Sequence, residues 1–531
     1  MAKVFNTTAV CIPDEHYMVN LDRRLEEIKK MVDGRKYFTI NRARQYGKTT
    51  TIHALRRYLK RDYYVVSMDF QTFGNAEFKD EAAFSLAFAE TFADAMKDLE
   101  ISGGKLKEAV ECLEEQAGSM NAHFSLRNLF RHLKIICKAS DKPIVLIIDE
   151  VDSAANNQVF LDFLAQLRAY YMERAEQPVF WSVILAGVYD VRNLQLKIRP
   201  EEEHKVNSPW NIAAEFKVDM SFSKEDIAGM LKEYEADHHT GMDIDEIAGL
   251  IYDQTSGYPF LVSRLCQIMD EDVSRNRQSQ REAWTLDGFM EASSILTSEK
   301  NTLFDSLIGK IMTYPKLNRI LQNKIFKGET VSYNTSTQEI DLAAMFGIIK
   351  NAGGVVVPAN KIFAKVLTDY YLSQDEIKSL EIYKVSSRDK NQFIENGKLN
   401  MKLVLEKFIE AFTDLYAHKG RTFIEEEGKK YFLLFLRPII NATGFYSLEA
   451  VTGNNTRTDV IVYYHEELYI IETKIWHGQK ANEEAEEQLL SYMKSYRQDK
   501  GYLLTFNFNK TKTQGIREIA VGKKTLIEAV V

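Results

Sequence analysis

The sequence has little of what marks secreted, membrane-embedded or fibrous proteins. It contains four cysteines in 531 residues and no CxxC pair, which argues against a disulfide scaffold or a zinc finger. No apolar run approaches the about 18 residues that cross a bilayer, and the first residues lack the apolar core of a signal peptide. Nine prolines and 26 glycines are too few for a collagenous chain. We therefore expect a cytoplasmic protein with no membrane partner.

An excess of positive charge is also absent. The chain has 68 Lys and Arg against 76 Asp and Glu, a net charge of −8, so it lacks the overall basic signature of a nucleic-acid-binding protein. Between Leu21 and Tyr64, however, 13 basic residues face 5 acidic ones. This local excess can bind a triphosphate or a nucleic acid, or it can form a solvated helix face.

The hydropathy pattern divides the chain into five parts. Short apolar runs alternate with helical patterns in residues 1–220, which predicts a parallel α/β sheet. Residues 221–300 have helical patterns only and are a predicted helical lid. In residues 301–372 the predicted order of helices and strands resembles a winged helix. A polar stretch at 373–398 is a predicted linker, and 399–531 are predicted to form a mixed α/β domain.

A phosphate-binding motif follows the first predicted strand. The loop leads through Gly47, Lys48 and Thr49 into a predicted helix, which is the strand–loop–helix context of a P-loop. Lys48 is expected to reach the β- and γ-phosphates, and the Thr49 hydroxyl to bind Mg²⁺. Arg42 stands where the motif usually has its first glycine. The predicted nucleotide-binding residues of the loop are Arg44, Gln45, Tyr46, Gly47, Lys48, Thr49 and Thr50.

Two acids end a strongly apolar run further along the chain. Residues 143–148 are apolar, and Asp149 and Glu150 follow them directly. In an NTPase the first such acid holds Mg²⁺ and the second polarises the attacking water. We therefore predict Asp149 as a nucleotide and metal residue and Glu150 as the catalytic acid of ATP hydrolysis.

These motifs resemble the AAA-like branch of P-loop ATPases over about residues 17–371. The resemblance rests on ARQYGKTT, LIIDEVD, LAGVYDV and TSGYPFLVSRL. It implies ATP and Mg²⁺ as cofactors, contact of Tyr258 or Pro259 with the nucleotide, and a homo-oligomer. Ala186 and Gly187 occupy the place of the polar γ-phosphate sensor. Candidate arginine fingers are Arg192, Arg199 and Arg264.

A second group of charged residues lies near the C-terminus. Asp459 opens a predicted strand, and Glu472 and Lys474 share one face of the next strand because side chains alternate with period 2. In an antiparallel hairpin the end of the second strand lies beside the start of the first, so the three side chains converge. Two carboxylates suit Mg²⁺, and a lysine can orient the attacking water.

This pattern resembles the PD-(D/E)xK nuclease superfamily over about residues 420–510. Asp459 matches its D, and Glu472 and Lys474 match its ExK. The resemblance implies metal binding by Asp459 and Glu472, with supporting catalytic residues at Glu427, Glu449 and Gln488. The predicted fold class is thus α/β multidomain: a P-loop NTPase core with a parallel sheet, a helical lid and a winged helix, followed by a restriction-endonuclease-like α/β domain.

Three functions fit these motifs. The first is an ATP-dependent nuclease acting on nucleic acid, with DNA as the expected substrate and a role in defence or mobile-element biology implied by the pairing of domains. The second is a signalling-type switch ATPase whose C-terminal domain binds without cleaving. The third is a DNA-reading regulator. Residues 337–346, the expected recognition helix, carry two acids and no Arg or Lys, which disfavours this third function.

Overall fold

The computed structural model describes most of the chain. The described residues are 3–118, 123–154, 157–188, 210–277, 279–327, 329–374, 380–388, 390–416, 425–440, 444–448, 458–465, 467–509 and 512–531. They form two compact units, residues 1–221 and 222–531. No helix of the described residues is long and apolar enough to cross a bilayer.

The first unit is built on a four-stranded sheet. Its order is β1-β4-β3-β2 and all its strands run parallel. The strands are β1 (Tyr37–Asn41), β2 (Tyr64–Asp69), β3 (Ile144–Asp149) and β4 (Ser182–Gly187), and the helices are α1 (Asp22–Asp33), α2 (Lys48–Leu59), α3 (Glu81–Lys97), α4 (Gly104–Gly118), α5 (Leu126–Ala139) and α6 (Gln158–Met172). The predicted parallel α/β sheet is confirmed.

The core of this unit is unusually aromatic. Phenylalanines of β2's exit, α3 and α6 pack edge-to-face or stacked around Phe70 and Phe84, with ring centroids about 5–6 Å apart. Both faces of β3 are buried, as its continuous apolar run requires. The acids of β2 and β3 lie at the carboxyl ends of these strands, at the same edge of the sheet as the P-loop that follows β1.

The second unit begins with helices. They are α7 (Lys224–His238), α8 (Ile244–Thr255), α9 (Pro259–Gln267), α10 (Ser274–Asn276), α11 (Gln280–Ala283) and α12 (Leu286–Ser298), with a π-helical turn at Ile268–Val273. Ser223 caps α7 with a reciprocal capping box, as the sequence SFSKEDI predicts.

The next elements follow the order predicted for a winged helix. They are α13 (Thr302–Thr313), α14 (Pro315–Lys327), α15 (Gln338–Met345), β5 (Ile349–Ala352), β6 (Val355–Pro358) and α16 (Lys361–Ser373). The short strand predicted at residues 331–333 is only an isolated bridge between Ser332 and Val355. Within the predicted linker lie α17 (Glu381–Arg388) and a small hairpin of β7 (Ile394–Glu395) and β8 (Lys398–Leu399). The domain boundaries stay predictions.

The C-terminal part of this unit is a six-stranded mixed sheet. Its order is β13-β14-β12-β11-β10-β9. The strands are β9 (Gly444–Leu448), β10 (Thr458–Tyr464), β11 (Glu467–Ile475), β12 (Lys500–Phe506), β13 (Gly515–Val521) and β14 (Lys524–Val530), and the helices are α18 (Met401–Tyr416), α19 (Glu425–Ile440) and α20 (Gln479–Ser495). The hairpin of β13 and β14 lies beyond the last strand that the sequence predicted.

Helix α16 joins this sheet through a buried polar cluster. The Tyr446 hydroxyl of β9 donates to Asp369 at 2.6 Å, and the Lys365 ammonium pairs with the same carboxylate. That ammonium also lies 4.0 Å from the centroid of the Tyr446 ring. Arg437 of α19 donates to the Asp369 carbonyl at 3.3 Å. The last helix of the winged-helix-like region is thereby fixed to the edge of the C-terminal sheet.

Candidate functional site

The P-loop has the backbone of an anion-binding nest. Gln45 and Gly47 take positive φ angles of 56° and 76°, and α2 begins immediately after Gly47. Because Gly47 has no side chain to cap the helix, the first-turn N–H groups of α2 remain available to an anion. Alternating left-handed residues turn such N–H groups toward one point. The loop is therefore shaped for phosphate oxygens.

Lys48 is buried at the start of α2. Its ammonium donates to the carbonyl oxygens of Arg42 at 3.1 Å and Ala43 at 3.2 Å. Burial lowers the pKa of Lys48, and the nearby carboxylates of Glu150, Asp152 and Asp149 oppose that effect. The lysine is thus held on the loop, beside the acids at the ends of the strands.

The conformation of Arg42 shows why the first position of the P-loop need not be glycine. Its guanidinium leaves the loop, donates to the Val218 carbonyl at 2.8 Å and lies 5.1 Å from the centroid of the Phe216 ring. Its φ angle is not positive, since the left-handed positions of the loop fall on Gln45 and Gly47. The position therefore tolerates a side chain, and the segment around residues 216–218 buries it.

The acids predicted at the end of β3 lie at the same sheet edge. Burial raises the pKa of Asp149, while hydrogen bonds from the Glu150 N–H and from Thr49 lower it. Thr49 and Asp149, which are in contact, are the two groups that would hold Mg²⁺ in an NTPase. Burial also raises the pKa of Glu150, whose φ of 51° is costly for a non-glycine residue. Ser153 fixes this conformation by donating to the Glu150 carbonyl.

Two further acids, which sequence reasoning missed, belong to this edge. Asp69 ends β2 directly opposite Asp149, and its charge contributes to the raised pKa of Asp149. Asp152 accepts from the Val188 N–H at 2.6 Å and packs against Gly187, where a Cβ would come within 2.8 Å of its carboxylate. Glycine at the end of β4, where a polar sensor was expected, thus makes room for Asp152. The register of β2 and β3 and the short spacing from Glu150 are the signals that could have revealed both acids.

The other candidate residues for the nucleotide site lie in the second unit or outside the described residues. Tyr258 and Pro259 belong to the second unit, where the Tyr258 ring packs edge-on against Phe363 at 5.3 Å, so their contact with nucleotide stays a prediction. Arg264 forms a two-pronged ion pair with Glu299 at 2.6 and 3.1 Å. That contact occupies its guanidinium. Arg192 and Arg199 lie outside the described residues.

The C-terminal strands pair in the predicted antiparallel register. Asp459 of β10 is directly opposite Glu472 of β11, and the turn between the strands lies at His465. Opposed positions of an antiparallel pair lie on one face of the sheet. On the other side of β11, the parallel strand β12 places Leu503 beside Glu472 and Thr505 beside Lys474. The two predicted metal-binding positions are thus neighbours in the middle of a sheet.

Glu472 is a buried carboxylate with an unsatisfied oxygen. Only 1% of the residue is exposed, and its Oε2 atom has no hydrogen-bond partner among the described residues. A buried carboxylate without a partner is costly, so such atoms call for a cation or ordered water. This donor fits Mg²⁺, which prefers one or two carboxylates with several waters. No group of three or more His, Cys, Asp or Glu suited to a metal occurs among the described side chains.

Asn482, a residue that sequence reasoning missed, holds Lys474. It lies in the first turn of α20, is buried, and accepts a hydrogen bond from the Lys474 ammonium. The Asn482 amide group in turn donates to Glu486 at 2.7 Å. A buried asparagine one turn into the helix after the strand is the signal that could have found it. Lys474 is thereby directed along the end of β11.

The predicted supporting residues of the nuclease centre are Glu427, Gln488 and Glu449. Glu427 lies half-buried in the first turn of α19, and among the described residues it has no hydrogen bond or ion pair. Its charge raises the pKa of Tyr431 after the larger effect of burial. Gln488 lies half-buried on α20, and Glu449 falls outside the described residues. Their supporting roles stay predictions.

A second buried glutamate provides a contrast within the same sheet. Glu528 of β14 is fully buried, accepts from the Thr505 hydroxyl at 3.1 Å and pairs with the Arg517 guanidinium. It lies in the same row as Glu472, with Leu503 between them. Its charge is therefore satisfied by protein groups, whereas one oxygen of Glu472 has no hydrogen-bond partner within the described ranges.

Comparison with known proteins gives family matches to the N-terminal and to the C-terminal part of the chain. The model of the PD-(D/E)XK nuclease superfamily matches residues 442–519. An uncharacterised WD repeat-containing protein of Synechocystis is 23% identical over 259 residues, or 45% of this chain. The alignment spans only 20% of the length of that relative.

Several solved structures resemble about two-thirds of the chain. A Walker-type ATPase of Pyrococcus abyssi is 14% identical with a TM-score of 0.45, covering 68% of this chain and 99% of that one. The ORC1 protein of Aeropyrum pernix, solved in complex with DNA, is 13% identical with a TM-score of 0.30, covering 66% and 93%. The RuvB Holliday junction branch migration motor of Thermotoga maritima is 12% identical with a TM-score of 0.33, covering 64% and 92%.

The second family match covers more than half of the chain. A family model described as an AAA-like domain covers residues 19–369, and this range includes the P-loop, the acids at the end of β3 and the helices of the predicted lid. The predicted resemblances to AAA-like ATPases and to the PD-(D/E)xK superfamily are both confirmed. The chain belongs to the AAA-like domain family.

Proposed function

We propose that this protein is an ATP-dependent nuclease that cleaves the phosphodiester bonds of DNA. The observation that carries the cleavage step is the buried Glu472 carboxylate, whose unsatisfied oxygen lies opposite the Asp459 position. In a sheet that binds no ligand such an atom is unfavourable, because its burial costs free energy without a compensating hydrogen bond. A metal-binding centre gives it a role.

At the nucleotide site, each residue has a distinct role in this proposal. The N–H groups of the loop and the Lys48 ammonium bind the phosphates of ATP, and Thr49 and Asp149 hold Mg²⁺ beside them. The raised pKa of Glu150 suits a group that accepts a proton from the attacking water near neutral pH. The coarser function, an ATPase-like fold with this loop, follows from the family.

At the nuclease centre, the positions of Asp459 and Glu472 would hold Mg²⁺. The metal supplies charge stabilisation and a more acidic water when it is bound. Lys474 places a positive charge beside the reacting phosphate and, held by Asn482, orients the attacking water. The chain thus provides two anionic positions for the metal and one cation for the phosphodiester.

The proposal is tested by nuclease assays on the full chain. Linear duplex, circular duplex and single-stranded DNA are incubated with Mg²⁺ or Mn²⁺, with and without ATP. We expect Glu472→Gln and Asp459→Asn to reduce cleavage by about 10³-fold, because a metal contributes several kcal/mol and each 1.36 kcal/mol is a factor of ten.

The matched control is Glu467→Gln on the same strand. Glu467 is half-exposed at the other end of β11 and pairs with Lys398, so the variant loses one carboxylate without touching the centre. It should cleave as the wild type does. Cleavage that survives Glu472→Gln and Asp459→Asn would refute the nuclease.

A switch ATPase is the second candidate, and the end of β4 favours it. Gly187 and the Asp152 side chain fill the place where a polar γ-phosphate sensor was expected, which predicts slow hydrolysis. In that case a non-hydrolysable ATP analogue would change the assembly state in size-exclusion chromatography while DNA remained intact. Rapid turnover without a change in assembly would exclude the switch.

A further inference from the structure

A basic cavity lies in the first unit, away from the nucleotide edge. It has a volume of about 320 Å³ and lies between the second half of α2 and the starting ends of β2 and β3. The P-loop acids are at the opposite, carboxyl ends of these strands. The residues that give the cavity its charge are His53, Arg56, Arg57, Lys60, Lys142, Asp98 and Glu100.

The positive charge comes mainly from one stripe of α2. His53, Arg56, Arg57 and Lys60 are spaced i, i+3, i+4 and i+7, which places them on one helix face. Lys142 adds a charge from the opposite wall. The acids offset only part of this, and Glu100 pairs with Lys60 at 3.3 Å. Four cations against two acids leave an excess of two positive charges with the histidine neutral.

The two arginines of the stripe are not neutralised by any ion pair within the described part of the chain. Neither Arg56 nor Arg57 forms a hydrogen bond or an ion pair with any residue that the structure describes, and both side chains are exposed to solvent. Burial, followed by the charges of Arg57 and Arg56, lowers the pKa of His53. Like charges one turn apart destabilise a helix. An anion bound in the cavity would remove this repulsion.

The cavity walls favour phosphate over bases. Tyr63 and Tyr64 line it, but both rings are buried and their hydroxyls are engaged, donating to Asp33 at 2.6 Å and to Asp141 at 3.2 Å. They are therefore fixed walls and offer no open ring on which a base could stack. The exposed guanidinium groups suit the oxygens of successive phosphates, to which arginine binds with two parallel hydrogen bonds.

We infer that the basic cavity binds the phosphate backbone of DNA and so gives the ATPase unit its own contact with the nucleic acid. The choice of DNA as the polyanion rests on the proposed function. The binding itself does not depend on cleavage, because the cavity belongs to the first unit and the nuclease sheet to the second.

The test measures DNA affinity as a function of salt. Fluorescence anisotropy of a labelled duplex of about 30 base pairs is followed with the full chain in EDTA, which prevents cleavage. Each phosphate contact contributes about 0.9 to the slope of log affinity against log salt concentration. We expect the double variant Arg56→Gln/Arg57→Gln to lower that slope by about 1.8 and Lys142→Gln to lower it by about 0.9.

The control is Arg127→Gln/Arg131→Gln on α5. These two arginines are also exposed and lie on a helix, so the variant changes the net charge equally at another place on the same unit. Its slope should equal that of the wild type. Equal slopes for all proteins, an equal loss in both double variants, or no binding by the wild type would each overturn the inference. The inference would also be overturned if the Arg56→Gln/Arg57→Gln variant weakened the binding of polyglutamate but left the affinity for DNA unchanged.

The Glu472→Gln protein separates this inference from the proposed function. It should bind DNA with the wild-type slope, because its substitution lies in the other unit. Intact binding together with lost cleavage supports both statements. Intact cavity-dependent binding with no cleavage by the wild type would leave the cavity supported and the nuclease refuted.

Discussion

The two candidate sites differ in how they balance buried charge. At the P-loop edge, the Lys48 ammonium lies among three carboxylates and donates to two backbone carbonyls, so its positive charge is balanced by the protein itself. In the C-terminal sheet, Glu472 keeps a buried oxygen with no partner among the described residues. The first site is therefore assembled before its ligand arrives, whereas the second lacks a positive charge that must come from outside.

The largest effect is expected at the catalytic acid of the assembled site. Glu150→Gln removes the group that accepts a proton from water and should lower ATP turnover by about 10²- to 10⁴-fold. ATP affinity, measured by calorimetry, should change little, because Lys48 and the loop N–H groups remain. The control variant Asp162→Asn, at an exposed position of α6, should keep turnover within a few-fold of the wild type.

The pH dependence of turnover checks the role of Glu150 independently. Since burial raises its pKa above 4.5, the carboxylate becomes protonated, and unable to accept a proton, at a higher pH than an ordinary glutamate. Turnover should therefore fall as the pH is lowered while it is still above 4.5, and the residual rate of Glu150→Gln should not follow this decline. A parallel decline in both proteins would assign it to another group.

The second-largest effect is expected for the lysine of the loop. Lys48→Met removes the buried cation of the loop and should weaken ATP binding by about 10- to 100-fold, since a charged hydrogen bond contributes roughly 1.5–3 kcal/mol. Calorimetric titration with ATP measures the loss. Lys60→Met, at the exposed end of the same helix, should bind ATP as the wild type does. Equal losses would indicate a general effect of charge.

The P-loop was predictable because its determinants are contiguous in sequence. The strand, loop and helix occupy residues 37–59, and the helix begins at Lys48, directly after the loop. The pairing of Asp459 with Glu472 was also predictable, because a hairpin fixes the register from the turn outward. In both cases the relation between residues depends on a short piece of chain.

The remaining features depend on packing between distant segments. The burial of Arg42 against residues 216–218 could not be read from the loop, nor could the place of Glu528 in the same row as Glu472. Asn482 follows Lys474 by eight residues, but its contact requires the helix to fold back over the strand. Sequence patterns identify the chemical groups, whereas the partners that hold or balance them emerge from the tertiary structure.

A smaller effect is expected for the residue that positions the nuclease lysine. Asn482→Leu keeps a similar volume but removes the acceptor, so Lys474 loses its fixed direction, and cleavage should fall by about tenfold for a lost hydrogen bond of about 1.4 kcal/mol. The loss should appear in kcat rather than in DNA affinity. Asn482→Asp retains an acceptor oxygen and should restore most of the rate. Failure of this rescue would argue against a positioning role.

The smallest effect is a change in stability, and its sign tests the comparison directly. In EDTA, Glu472→Gln should raise the free energy of unfolding by about 1 kcal/mol, because an amide is cheaper to bury than a carboxylate with an unpaired oxygen. Glu528→Gln is the matched change in the same sheet. It should lower the free energy of unfolding by about 1–3 kcal/mol, since it removes the partner of Arg517.

Thermal melting measures both changes in stability. Adding Mn²⁺ should then make the wild type more stable than Glu472→Gln. At a Mn²⁺ concentration 100 times the Kd, the wild type should gain about 2.7 kcal/mol, whereas Glu472→Gln should gain little because its metal-binding oxygen is gone. Glu528→Gln should respond to Mn²⁺ as the wild type does. If Glu472→Gln instead destabilises the metal-free protein as Glu528→Gln does, then protein groups already balance the Glu472 charge, and the two sites do not differ in the way that the unpaired oxygen indicates.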